Sequence, residues 1–153
     1  MPEGAAQIVL AIDFGLKRLG LASGDTLTRI ATPRDTLRTL ATGVDWAALK
    51  RVITSLRPGQ LVVGEPYNAD GSPSALTAAA REFARALAER FALPVDLVDE
   101  RWSSLDAEER LRQARASGGR RRRVTREAID AAAAAVILER WFERRGARQG
   151  QQN

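Results

Sequence analysis

An α/β domain built on a five-stranded mixed sheet is the fold this sequence predicts, and three observations predict it. Residues 7–13 form an apolar run with hydrophobic side chains on both faces, the mark of a central strand covered on both sides. Two more short strand-like stretches follow at once, separated by turn residues. From Asp45 onward, stretches with helical spacing alternate with short apolar runs, the pattern of crossover units. The implied order is β-β-β-α-β-α-β-α-α: an antiparallel meander, then two parallel strands returned by crossovers, with helices on both faces of the sheet.

In the first strand Ile8, Leu10 and Ile12 alternate with Val9 and Ala11, and Asp13 falls on the Val9 and Ala11 face. Residues 18–23 and 29–33 read as the second and third strands, turned through Gly24 and Asp25. Asp45 is placed to cap a helix whose apolar positions are Leu49, Val52, Ile53 and Leu56, stopped by Pro58 and Gly59. A buried fourth strand, 61–63, comes next. The loop "GEPYNADGSPS" then leads into a helix over 74–91, with Leu76, Ala80, Phe83, Leu87 and Phe91 on one stripe. Residues 95–98 form the fifth strand, ending in "DER". Ser103 with Asp106 resembles a capping box for a helix over 105–116, which Gly118 and Gly119 end; Thr125 caps a last helix reaching about Arg145.

At 153 residues and 44% hydrophobic content, the chain suffices for one domain over 1–153, with an ordered core at about 7–145 and a frayed polar tail from Gly146. It has neither a run of about 20 apolar residues nor a signal-peptide pattern, so a soluble cytoplasmic protein with no membrane partner is expected. The absence of cysteine and histidine removes disulfides, thiolate chemistry, histidine bases and the usual zinc sites. Carboxylates, hydroxyls, lysine and arginine are what remain for chemistry. The formal charge is +5, and all 24 basic residues but Lys17 and Lys50 are arginines, whose planar fork suits phosphate. An arginine- and alanine-rich composition also arises from genome base composition, so position along the chain carries more weight than the total.

Ligands of such sheets bind beyond the carboxyl ends of the parallel strands. Each of those ends carries an acid here: Asp13 after the first strand, Glu65 after the fourth, Asp99 and Glu100 after the fifth. Asp130 joins them from the last helix, where Ala133, Ala134, Ile137 and Trp141 put it on the apolar stripe. Taken singly, Asp13 is an adequate turn residue, Glu65 and Glu100 are adequate ion-pair partners for arginine, and Asp130 could bond a backbone amide. Taken together, clustered anions call for a cation, and oxygen ligands without histidine or cysteine select Mg²⁺ or Mn²⁺.

Four motifs in this order resemble those of one family. They are Asp13-x-Gly15-x-Lys17-Arg18-x-Gly20, Val63-Gly64-x-Pro66-x-Asn68-x-Asp70-Gly71, Asp99-Glu100-Arg101-x-Ser103, and Asp130 followed by alanines. Over about residues 7–145 the chain resembles the YqgF/RuvX family of Holliday junction resolvases and pre-16S rRNA nucleases, with an RNase H-like fold. The resemblance implies catalytic, metal-holding acids at Asp13, Glu100 and Asp130, and hydrolysis of a phosphodiester assisted by one or two Mg²⁺ or Mn²⁺ ions. Two departures stand out: Glu65, where leucine is common in the family, and Ala131, where serine is common. Glu65 is either a fourth ligand or the partner of a basic residue.

Nucleic acid is the expected partner, gripped by Lys17, Arg18, Arg101 and the run Arg120, Arg121, Arg122 and Arg123 beside the last helix. A solvated loop is the plainer account of four consecutive arginines. Trp46, Trp102 and Trp141 read as packing residues, with base stacking open for Trp102. The substrate expected first is pre-rRNA, trimmed at the 5′ end of pre-16S rRNA. Branched DNA is the alternative, and symmetric cutting of a Holliday junction would need a homodimer rather than a monomer. Two readings of other classes also stand: a non-catalytic nucleic-acid-binding or ribosome-assembly factor, which intact acids disfavour, and an actin-like ATPase, for which the chain lacks a second lobe.

Overall fold

The computed structural model describes residues 5–100, 112 and 125–151. Within them run β1 (Ile8–Phe14), β2 (Arg18–Asp25), β3 (Thr32–Arg38), α1 (Trp46–Leu56), β4 (Gln60–Glu65), α2 (Ala75–Phe91), β5 (Val95–Asp99) and α3 (Arg126–Gln151). The sheet order is β3-β2-β1-β4-β5; β1 pairs antiparallel with β2 and parallel with β4, and β4 pairs parallel with β5. The expected helix over 105–116 lies outside the described residues.

Strand β1 is central because its two faces feed two cores. Leu10 and Ile12 pack with Leu61, Val63, Leu49, Phe83 and Leu87 against α1 and α2. Val9 and Ala11 pack with Val62, Val98, Ile137, Leu138, Trp141 and Phe142 against α3. Asp13 and Gly64 continue the Val9 and Val62 rows, so both point to the α3 side. Trp46 stacks on Phe83 at 5.6 Å, and the Trp141 indole N–H donates to Asp96 Oδ2 at 2.7 Å, so both are packing residues.

The start of α1 follows the expected chemistry, and that of α2 adds a cap of its own. Asp45 Oδ1 accepts from Ala48 N at 3.0 Å, and α1 ends on Arg57 in a left-handed conformation just before Pro58. Ser74 and Thr77 form a reciprocal capping box on α2, placing buried Thr77 on the inner face that the aliphatic stripe alone did not single out.

Two elements differ from expectation. The third strand begins at Thr32 rather than at Arg29, because Asp25 caps a turn first: its Oδ1 accepts from Leu27 N at 3.0 Å and Thr28 N at 2.7 Å, and Arg29 sits at φ 59°. As an edge strand exposed along most of its length, it carries no alternation to mark its limits and tolerates Pro33. The last helix continues past Gly146 to Gln151. Gly146 and Gly150, set among arginine, alanine and glutamine, cost about 1 kcal/mol each, which does not stop a helix already anchored in the core.

Candidate active site

The carboxyl ends of β1, β4 and β5 face α3, with Ile137 against Gly64, Arg140 on the Asp99 carbonyl and Asp130 near Asp13, and the three expected acids arrive there from different elements. Asp13 comes from β1, Glu100 follows β5 directly, and Asp130 is the fifth residue of α3. Glu100 is seated by its own backbone, whose N–H donates to Glu65 O at 3.1 Å.

Two glycines let these acids approach. A Cβ on Gly64, in β4 between β1 and β5, would collide with Glu100 Oε2 and Ile137 Cδ1. A Cβ on Gly20 in β2 would collide with the backbone carbonyl of Asp130. The absent side chain in β4 leaves Glu100 room to reach Asp13, and the one in β2 lets α3 lie close enough to present Asp130.

Asp13 and Glu100 share a side-chain hydrogen bond. Burial pushes Asp13 up from its ordinary 3.8, with the nearby Asp130 charge adding to the rise and the bond from Glu100 opposing it. Burial also pushes Glu100 up from 4.5, reinforced by the charge of Asp13, by the shared bond and by Asp99, while Arg140 pulls the other way. Without a cation the pair therefore retains a proton, held on Glu100 and donated to Asp13. Glu100 Oε2 is buried with no hydrogen-bond partner. An orphaned carboxylate oxygen beside a second carboxylate suits a hard divalent cation, which would satisfy both and displace the proton.

Asp130 is engaged differently. Arg18 Nε donates to its Oδ2 at 2.6 Å. Among the described residues, no three histidine, cysteine, aspartate or glutamate side chains are grouped to hold a metal ion.

Glu65 pairs with Arg81, which also donates to the Tyr67 hydroxyl at 2.9 Å. Of its two expected roles, that is the basic partner. Lys17 is exposed in the β1–β2 turn. Arg101, Trp102 and Arg120 to Arg123 lie outside the described residues. Sequence reasoning missed Arg140, whose charge reaches Glu100 and whose Nη1 donates to Asp99 O at 3.1 Å. It lies just off the apolar stripe of α3, next to Trp141, and that was its one signal.

The sequence profile of the RuvX family, described as Holliday junction resolvase, matches residues 7–144. A protein of Dechloromonas aromatica (strain RCB) named "Putative pre-16S rRNA nuclease" is 44% identical over 135 residues, covering 88% of this chain and 90% of its own. One of the same name from Xanthomonas axonopodis pv. citri (strain 306) is 46% identical over 146 residues, covering 93% and 94%. Among solved structures, Thermus thermophilus RuvC in complex with Holliday junction substrate is similar at a TM-score of 0.57 and 20% identity, covering 91% of this chain and 96% of that one. The yeast mitochondrial Holliday junction resolvase Ydc2 is similar at 0.52 and 13%, covering 88% and 77%. These structural likenesses establish the RNase H-like α/β fold expected from the sequence. No helix among the described residues is long and apolar enough to cross a membrane. With strand-end acids, a matching profile and curated relatives over nearly the whole length, the chain belongs to the RuvX Holliday junction resolvase family and is a hydrolase of nucleic-acid phosphodiester bonds.

Proposed function

We propose that this protein is a Mg²⁺-dependent nuclease that trims the 5′ end of pre-16S rRNA, with Asp13, Glu100 and Asp130 as its catalytic, metal-holding acids. The observation that carries the proposal is the buried Asp13–Glu100 pair with its unsatisfied Oε2, at the strand ends where ligands of such sheets bind. The pre-rRNA substrate is taken from the names of the relatives at 44% and 46% identity.

Asp13 and Glu100 would hold the cation, Mg²⁺ or Mn²⁺, with Asp130 completing the set. When bound, divalent ions supply Lewis acidity that activates the attacking water and stabilises the leaving oxygen. The chain's own residues do the rest. Asp13 and Glu100 would release their shared proton on holding the cation, and their burial would limit competing solvent. Lys17, at the exposed turn beside Asp13, and Arg18 meet the phosphate backbone. Arg101 and the run Arg120 to Arg123 extend that grip from the sequence neighbourhood of Glu100 and Asp130.

Holliday junction resolution is the second reading, favoured by the family description and by the fold likeness to RuvC. It requires a homodimer to cut two strands symmetrically, whereas rRNA trimming is open to a monomer. The deciding assay offers pre-16S rRNA and a four-way DNA junction side by side, each with Mg²⁺ and with chelator. Cleavage of the rRNA precursor at its 5′ end, abolished by chelator, is expected. Paired cuts in the junction with the precursor untouched would transfer the proposal to the second reading.

A further inference from the structure

Arg18 is the first residue of β2, directly after the turn that follows Asp13. Its Nε–H bonds Asp130 at 2.6 Å, with the two side chains 26% and 21% exposed, so the pair lies at the rim of the site within reach of an incoming ligand. Glu127, one turn earlier on α3, also feels the Arg18 charge and pairs with Arg38 at 3.3 Å. Asp130 is thus neutralised by a guanidinium at the position where the proposed catalytic reading needs it to face a metal ion. That engagement is consistent with the lack of a three-carboxylate group among the described residues.

We propose that Arg18 is a substrate-operated latch, holding Asp130 out of the metal site until a nucleic-acid phosphate takes the guanidinium and releases the carboxylate. The inference rests on the reading of Asp13, Glu100 and Asp130 as metal-holding acids. Its chemistry is a competition for one planar donor. A phosphodiester accepts a bidentate pair of hydrogen bonds from arginine as well as a carboxylate does. Once Arg18 turns to phosphate, the Asp130 carboxylate loses its guanidinium partner and its Oδ2 lone pairs open towards a cation near Asp13. Metal and nucleic acid then bind with positive linkage, each tightening the other by the same factor. The free protein engages metal through Asp13 and Glu100 only.

Mn²⁺ binding to the full chain, followed by the electron paramagnetic resonance of the free ion, tests this without any cleavage. In protein lacking nucleic acid, Asp13→Asn should abolish binding, and Asp130→Asn should weaken it less in the wild-type background than in the Arg18→Gln background. Arg18→Gln should tighten Mn²⁺ binding by about fivefold, the upper range for a partly exposed ion pair, and Asp130→Asn should remove that gain. A phosphorothioate RNA hairpin, which resists hydrolysis, should tighten Mn²⁺ binding more in wild type than in Arg18→Gln. Arg18→Lys, which keeps the charge without the fork, should fall between the two proteins. If Asp130→Asn weakens wild type as much as it weakens Arg18→Gln, or the hairpin acts equally on both, the latch is wrong while the metal site stands. If Asp13→Asn binds Mn²⁺ like wild type, the metal reading fails and takes the latch with it.

Discussion

Asp13 and Glu100 join side chain to side chain across β4, a strand that belongs to neither, because Gly64 leaves the space between them open. The two acids stand more than eighty residues apart in sequence and two strands apart in the sheet. Parallel pairing of β1, β4 and β5 aligns their carboxyl ends, and the glycine decides that the acids above those ends meet.

Substitution of that glycine should act on the site before it acts on the fold. The Cβ of Gly64→Ala meets side-chain atoms of Glu100 and Ile137, which can shift, whereas that of Gly20→Ala meets the backbone of Asp130, which cannot shift without moving α3. Both variants should lose stability within the roughly 1–3 kcal/mol of overpacking, with Gly20→Ala losing more. Gly64→Ala should need more Mg²⁺ for cleavage. Urea unfolding and activity against Mg²⁺ concentration check the two statements.

The acid pair makes the metal-free protein sensitive to alkali. Asp13 rises from 3.8 to about 6 and Glu100 from 4.5 to about 10 on folding, so the folded state holds protons that the unfolded state has released. The stability tied to those protons is complete below about pH 4, falls as pH rises through 6, and keeps falling towards 10. In chelator, the melting temperature should therefore drop across that window. Mg²⁺ should reverse the loss above pH 7, adding about 2.7 kcal/mol at 100 times its Kd. Thermal melts across pH, with Mg²⁺ and with chelator, measure both effects.

Glu65 should separate from the three acids proposed to be catalytic. Its carboxylate is held by Arg81, and leucine stands at this position in many relatives by the family resemblance, so Glu65→Leu should keep substantial activity and lose at most about 1 kcal/mol with the ion pair. Glu100→Gln should be inactive at every Mg²⁺ concentration. The opposite ranking, in activity assays against Mg²⁺, would mean the second acid lies on β4.

Arginines 120 to 123 give a test that needs no structure. Changed together to serine, they should weaken binding to all sequences alike and reduce the log–log salt slope by up to about four. An unchanged slope, read from binding isotherms at several salt concentrations, would make the run a solvated loop.

Much of this was legible because the signals were local. The two-faced pattern of residues 8–12 put β1 at the centre, Asp45 announced its helix, and acids after apolar runs placed Asp13 and Glu100 at one end of the sheet. Local signals failed where the deciding contact was distant or the burial slight. Strand β3 has almost no buried face, so its start was misplaced by the Asp25 turn. Gly64 and Gly20 matched motif positions, but their reason is steric and lies in Glu100 and Asp130, far along the chain. Arg81, Arg140 and the Arg18–Asp130 bond are tertiary choices among 22 arginines, and periodicity does not choose among them.

Cleavage by Asp13→Asn tests the central claim most directly. Asparagine keeps the shape of the side chain and removes the charge that would hold the cation, and it also relieves the repulsion of buried carboxylates. On whichever nucleic acid wild type cuts in Mg²⁺, this variant should lose at least about two orders of magnitude in rate, beyond the 10–100-fold typical of outer-shell residues. Its circular dichroism should match wild type, and its melting temperature in chelator at pH 8 should equal or exceed that of wild type. Turnover like that of wild type in a folded Asp13→Asn protein would contradict the assignment of the strand-end carboxylates as the catalytic centre.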